Sequence, residues 1–124
     1  MSDFLKQFGE EIKKNVPGYI AVAVSEIKSG ISYYSDSALA GFDPELASAF
    51  NLEVVKAKLN AISALGLKES IEDILITLSN QIHIIDVSDN NEYFIYLAVD
   101  SSKANLGMTK ALLGKYKKDI AGKL

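Results

Sequence analysis

Cysteine and arginine are both missing from this 124-residue sequence. Without cysteine the chain has no disulfide bond, no thiolate nucleophile and no cysteine-bound metal, which fits a reducing compartment. Without a guanidinium it cannot make bidentate contacts to phosphate or guanine, and its net charge of −3 also opposes nucleic-acid binding. The composition therefore excludes a disulfide scaffold and argues against nucleic acid as the main partner.

Long hydrophobic runs are also absent. The longest, "YIAVAV" from Tyr19 to Val24, is too short to cross a bilayer, so we expect no membrane span. The segment "MSDFLKQFGEE" lacks the basic and hydrophobic regions of a secretory signal peptide. We therefore expect a cytoplasmic protein.

Residues for catalysis are scarce. His83 is the only histidine, and it alternates with isoleucines in "QIHIIDV", so it faces away from them. Asp86 lies an odd number of positions further on, which points the two side chains to opposite faces and excludes a catalytic pair. There is no G-x-S-x-G elbow, and "TKALLGKY" lacks the first glycine and the Ser or Thr of a phosphate-binding loop. We expect no enzymatic activity, no catalytic residue, no metal and no cofactor.

The hydrophobic pattern predicts a chain that mixes helices and strands. The length suits one domain over residues 1–124. Short polar links predict antiparallel neighbours, so the predicted class is α+β with three helices covering five strands, although local order leaves the strand order open. The predicted segments are a helix in 2–18, a hairpin in 19–37 that breaks at 28–30, a long helix, strands at 70–78, 81–87 and 92–100, and a helix in 103–124.

Capping residues predict where the helices begin and end. Asp43 is the expected N-cap of the central helix, Pro44 its first residue and Gly66 its left-handed end, with Leu67 folding back on Ile62. The other predicted boundaries are Ser2 at the start of the first helix, Pro17 and Gly18 at its end, and Ser101 or Ser102 at the start of the last.

The central helix has two apolar stripes, although a single stripe is enough to pack against a core. At about 100° per residue, the first contains Leu46, Phe50, Val54, Ala57, Ala61 and Leu65. The second, about 150° away, contains Leu52, Val55, Leu59 and Ile62. A soluble monomer does not normally leave such a strip in water, so we assign one stripe to the core and the second to a partner.

The last helix carries small residues and lysines. Its small residues, Ala104, Gly107, Ala111, Gly114 and Ala121, predict a close neighbour, either the first helix near Gly9 or the sheet, because each interior glycine costs about 1 kcal/mol. The lysines near its end, Lys110, Lys115, Lys117, Lys118 and Lys123, complement the helix dipole and favour solubility. The alternative is a patch facing a membrane or an acidic partner.

Four pieces of the sequence resemble the roadblock/dynein light chain family, in its bacterial type. They are "NVPGYIAVAVSEIKSGISYYS", the long central helix, "EDILITLSNQIHIIDV" and "KANLGMTKALL", and together they cover nearly the whole chain. The turn "IKSG" departs from the aspartate-glycine pair of many relatives. The resemblance implies a roadblock/profilin-like sheet of order 2-1-5-4-3, with the first and last helices on one face and the central helix on the other.

The resemblance also implies a dimer. Members of the family usually pair their central helices and join their third strands into one sheet, either as a homodimer or with a paralogous roadblock protein. That arrangement would cover the second stripe and protect "DILITL", which is otherwise an apolar edge strand prone to aggregation. The interface residues expected on this basis are Leu52, Val55, Leu59, Ile62, Ile74, Ile76 and Leu78.

The function that the resemblance implies is to regulate a small Ras-like GTPase, to dock one on a scaffold, or to serve as a light chain of a motor complex. The candidate GTPase contacts are the polar flanks of the central helix, Asn51, Glu53, Lys56, Lys58 and Asn60. A chain without arginine cannot supply an arginine finger, so any stimulation of hydrolysis would reposition groups of the GTPase. The alternative is a purely structural dimerisation or scaffold subunit without a nucleotide-dependent partner.

Overall fold

The computed structural model describes residues 3–124, which form three helices and five strands in the predicted order. The elements are α1 (Asp3–Asn15), β1 (Tyr19–Glu26), β2 (Ser32–Ser37), α2 (Pro44–Ala64), β3 (Asp73–Thr77), β4 (Gln81–Val87), β5 (Tyr93–Asp100) and α3 (Leu106–Ile120). The predicted Ser2 cap lies outside the described residues. Strand β3 is shorter than the predicted 70–78, since pairing with β4 begins only at Asp73.

The five strands form one antiparallel sheet of order β2-β1-β5-β4-β3. Helices α1 and α3 cover one face, and α2 covers the other. This confirms both the α+β class and the arrangement that the family resemblance implies. Strand β3 has a neighbour on one side only, so it is an edge of the sheet.

Strand β5 is the centre of both hydrophobic cores, because every residue from Tyr93 to Val99 is buried. Its alternating side chains divide between the two faces of the sheet. Phe94, Tyr96 and Ala98 contact the α2 layer, whereas Ile95 and Leu97 belong to the core under α1 and α3. Because both faces of this strand are buried, apolar residues occur at successive positions of its sequence, "YFIYLAV".

Both ends of α2 follow the predicted capping. The Asp43 side chain accepts hydrogen bonds from the backbone N–H groups of Glu45 and Leu46. At the other end Gly66 has φ +67°, and the backbone N–H of Leu67 donates to the Ile62 carbonyl at 3.1 Å. This bond completes a Schellman motif and fixes where the helix stops.

The start of α3 differs from the prediction. Ser102 does not cap it, because its backbone N–H and hydroxyl both donate to the Asp100 carboxylate in a turn. Asn105 is the N-cap instead, and its side-chain oxygen accepts from the backbone N–H of Met108 at 3.1 Å. The two predicted serines therefore belong to the loop that leads to the helix.

The close approach predicted along the small residues of α3 is wrong. A Cβ added to Gly114 would meet nothing within 4 Å, and one at Gly107 would meet only the Asn105 side chain at 4.0 Å. Gly9 of α1 does have a close neighbour, which is the Tyr34 side chain of β2, and an added Cβ would overlap it. The glycine in α1 therefore serves helix-to-sheet packing, while those in α3 lie at open positions.

Candidate interaction site

The first apolar stripe of α2 lies on the solvent-exposed surface of the helix. Leu46 is 56% exposed, Phe50 69%, Val54 39% and Leu65 68%. Ala57 lies between them and is also exposed, while Ala61 is half-buried. The stripe follows the helix for about 28 Å, so α2 presents a continuous apolar surface to solvent.

The structure contradicts the assignment of the two stripes. Leu52 is 8% exposed and Val55 is fully buried, and both belong to the core between α2 and the sheet of the same chain. Leu59 packs against that core, and Ile62 is half-buried. Three of the four side chains expected at a dimer interface, Leu52, Val55 and Leu59, therefore pack in the core instead, and the stripe expected in the core is the exposed one.

A buried polar pair lies on the core side of α2. The Ser48 hydroxyl lies 2.8 Å from the Ser25 hydroxyl of β1, and both side chains are buried. Ser48 and Asn51 are polar residues on the buried side of the helix, and Phe50 is a large aromatic residue on the exposed side. The sequence pattern therefore favours the wrong side as the one that faces the core. Periodicity separates the two stripes, but it does not say which of them meets the sheet.

The polar flanks of α2 are mostly accessible. Glu53, Lys58 and Asn60 are exposed, and Lys56 is half-exposed. Asn51 is buried on the core side, so it is unavailable to a partner in this conformation. Four of the five candidate contact residues are therefore at least partly accessible, and Lys56 is the one nearest the core side of the helix.

Strand β3 presents a free edge beside α2. Hydrogen bonds to β4 involve Glu72 and Leu78 at the two ends of the pairing, so the alternating backbone groups of Leu75 and Thr77 point away from the sheet. Ile74 and Ile76 are half-buried against the α2 core, whereas Leu78 is 46% exposed. Of the three residues predicted at an interface in or just after β3, only Leu78, which follows the strand, is largely accessible.

An open depression connects the end of α2 with the edge of the sheet. It measures about 840 Å³ and is lined by Lys58 and Ile62 of the helix, by Ile74 of β3 and by the loop between them. No residue of the exposed stripe lines this depression, so it is a separate feature of the surface at the end of α2.

His83 and Asp86 lie on opposite faces of β4, as predicted. His83 contacts Phe42 and Tyr96 on the α2 side, and burial lowers its pKa. Asp86 lies on the α3 side, where Lys117 Nζ is 2.8 Å from its carboxylate and donates also to the Val87 carbonyl. Burial raises the pKa of Asp86, and Lys117 opposes the rise. Sequence reasoning missed this ion pair, since its partners are separated by 31 positions.

Neither a metal site nor a membrane span is found in residues 3–124. These residues contain no group of three or more His, Cys, Asp or Glu side chains placed to hold a metal ion. Among their helices, none has both the length and the hydrophobicity that a membrane crossing requires.

The sheet order and the helix layers define a roadblock/LC7 fold. Neither a family model nor a curated protein sequence matches this chain. Solved structures do match. MglB of Myxococcus xanthus has a TM-score of 0.82 at 11% identity, covering 97% of this chain and 88% of MglB.

Two further structures give the same result. A Roadblock/LC7 domain from Streptomyces avermitilis has a TM-score of 0.77 at 9% identity over 92% of each chain. The gliding protein MglB of Thermus thermophilus has a TM-score of 0.78 at 16% identity, over 96% of this chain and 87% of that one. The resemblance to roadblock proteins is therefore confirmed at the level of the fold.

Proposed function

We propose that residues 1–124 form a non-enzymatic, homodimeric roadblock-like module that acts in the cytoplasm. In this proposal the module binds a small Ras-like GTPase and regulates it or holds it on a scaffold. The observation that carries the proposal is the exposed apolar stripe of α2. A stripe of four large side chains and two alanines in water needs a partner, and the core of the chain does not supply one.

The spacing of the stripe suits pairing with a second copy. Positions 46 and 65, 50 and 61, and 54 and 57 lie at equal distances from the midpoint of the stripe. When two copies of α2 pair antiparallel about that midpoint, each Phe50 faces the small Ala61 of the other copy. Large side chains opposite small ones interlock, and a two-fold axis makes the surface complementary to itself.

The free edge of β3 supports the same arrangement. Two β3 strands can pair across the two-fold axis, which would satisfy the outward backbone groups of Leu75 and Thr77. The α2 helices then lie on one side of the joined sheet, and the α1 and α3 helices of both copies lie on the other. One solved MglB structure with this fold has a tetrameric arrangement, at a TM-score of 0.78 and 15% identity, which supports self-association as a property of the fold.

The GTPase assignment rests on the family resemblance together with the accessible polar flanks. Glu53, Lys58 and Asn60 would border the paired α2 helices and remain available to a third protein. Because the chain has no arginine, any acceleration of GTP hydrolysis would come from repositioning groups of the GTPase.

The experiment that tests the proposal measures binding to purified small Ras-like GTPases from the same organism, loaded with GDP or with a non-hydrolysable GTP analogue. We expect micromolar or tighter binding that differs between the two nucleotide states, because a regulator must bind one state better than the other. Lys58→Glu should weaken binding about tenfold through lost or reversed charge contacts. The matched control is Lys14→Glu, because Lys14 is exposed on α1, on the opposite face of the sheet from α2. Equal affinity for both states, or no binding, would favour a purely structural scaffold.

A further inference from the structure

Positive charge is concentrated on α3 and the residues that flank it. Residues 103–124 contain six lysines and one aspartate, a charge of +5, and the other 102 residues carry −8, which together give the net charge of −3. The neighbouring helix α1 has three lysines and three acidic residues, so it does not cancel the charge of α3. The molecule is therefore basic along one helix and acidic over the rest.

Two of the six lysines form ion pairs within the chain. Lys110 lies 3.0 Å from the Asp73 carboxylate, and Lys117 lies 2.8 Å from that of Asp86. The other four, Lys103, Lys115, Lys118 and Lys123, are exposed and form no ion pair with any residue in 3–124. The unpaired lysines thus lie towards the two ends of α3: Lys103 precedes the helix, Lys115 and Lys118 are in its second half, and Lys123 follows it.

The outward surface of α3 carries small residues among its lysines. Gly107, Ala111 and Gly114 place no long side chain on the side opposite the core, so the lysine side chains extend beyond them. Met108, at 43% exposure, adds an apolar contact beside the lysines. Such a surface can lie against an extended plane, with several ammonium groups reaching it together.

We propose that the α3 surface docks on an anionic phospholipid membrane. Lysine is a hydrated point charge without the fork geometry of arginine, so it suits a layer of mobile headgroups better than a specific phosphate or carboxylate site. The acidic remainder of the molecule is repelled by the same membrane, which orients α3 towards the lipid and α2 away from it.

The proposed dimer would strengthen this contact. Pairing through α2 and β3 places both α3 helices on the same side of the joined sheet, so two basic surfaces meet one membrane. The GTPase-binding side then faces the cytoplasm. The inference goes beyond the proposed function, and a monomer would show the same lipid preference with weaker binding.

Vesicle co-sedimentation tests the inference. We expect the protein to sediment with mixed phosphatidylglycerol and phosphatidylcholine vesicles at low ionic strength and to be released by added salt. It should not bind vesicles of pure phosphatidylcholine. Lys115→Gln/Lys118→Gln should lower the binding constant more than tenfold, at about fivefold for each lysine. The control Lys28→Gln/Lys68→Gln makes the same change in net charge on the other side and should bind like the parent.

Three outcomes would overturn the inference. The first is no binding to anionic vesicles, and the second is an equal loss in both double variants, which would show an effect of net charge alone. The third is binding to soluble polyglutamate without binding to vesicles, which would indicate an acidic protein partner. Light scattering on each variant reports oligomeric state separately, so failure of the membrane contact is distinguishable from failure of the dimer.

Discussion

His83 is held between aromatic rings under the segment that leads into α2. Its ring centroid lies 6.3 Å from that of Phe42 and 5.3 Å from that of Tyr96, both in edge-to-face geometry. Its Nε2 is 2.8 Å from the Gln81 side-chain oxygen. Burial lowers the pKa of His83, because the imidazolium would lose hydration there without gaining a carboxylate partner.

This environment predicts that His83 makes the protein less stable in acid. The unfolded chain binds the proton near pH 6.5 and the folded chain only at lower pH, so the free energy of unfolding falls as pH falls from about 6.5 to the folded pKa. The slope from one proton is at most about 1.4 kcal/mol per pH unit. Urea unfolding of the parent and His83→Gln from pH 7 to pH 5 should give a shallower decline for the variant, and parallel curves would contradict the prediction.

Single residues also show where sequence reasoning succeeds and where it stops. Alternation along β4 correctly predicts that His83 and Asp86 lie on opposite faces, because strand geometry is local. The ion pair between Asp86 and Lys117 depends on how α3 crosses the sheet, so no spacing in the sequence reveals it. The prediction that Asn51 faces solvent is wrong for the same reason, since its burial depends on the rotation of α2 about its own axis.

At the scale of elements, the ends of α2 are predictable from the sequence, whereas its orientation against the sheet is not. Asp43, Pro44 and Gly66 predict its ends, because capping chemistry involves only nearby residues. Periodicity correctly predicts that α2 has two apolar stripes. The prediction of which stripe faces the core is wrong, because that depends on contacts with β1, including the buried Ser25–Ser48 pair. The strand order comes from the family resemblance, because hairpin links alone do not place β5 beside β1.

The glycines of α3 and α1 predict opposite effects of the same substitution. Gly114→Ala should raise the free energy of unfolding by about 0.5–1 kcal/mol, because an added methyl group meets open space and alanine favours the helix. Gly9→Ala should lower it by about 1–3 kcal/mol, because the new Cβ would overlap the Tyr34 ring. Urea denaturation of both variants measures this. A destabilised Gly114→Ala would reveal a close neighbour of α3.

At the scale of the whole molecule, the surface is divided into sides with different chemistry. One side carries the apolar stripe of α2 and the free edge of β3, and the opposite side carries the lysines of α3. The sequence contains all of these features, but only the layered fold shows that they face in opposite directions. A dimer formed on the first side leaves the second side of both copies uncovered.

The dimer leads to a prediction that separates interface from core. Phe50→Glu should give a folded protein with half the molar mass of the parent, because Phe50 is 69% exposed in one chain and its charge would oppose pairing. Val55→Glu should instead destabilise the fold by roughly 4 kcal/mol or more, because Val55 is fully buried in its own chain. Light scattering with circular dichroism measures both properties, and Lys58→Glu serves as a charged control that keeps the parental mass. A parent that is monomeric at high concentration, or a Phe50→Glu variant with the parental mass, would show that the stripe is not covered by a second copy.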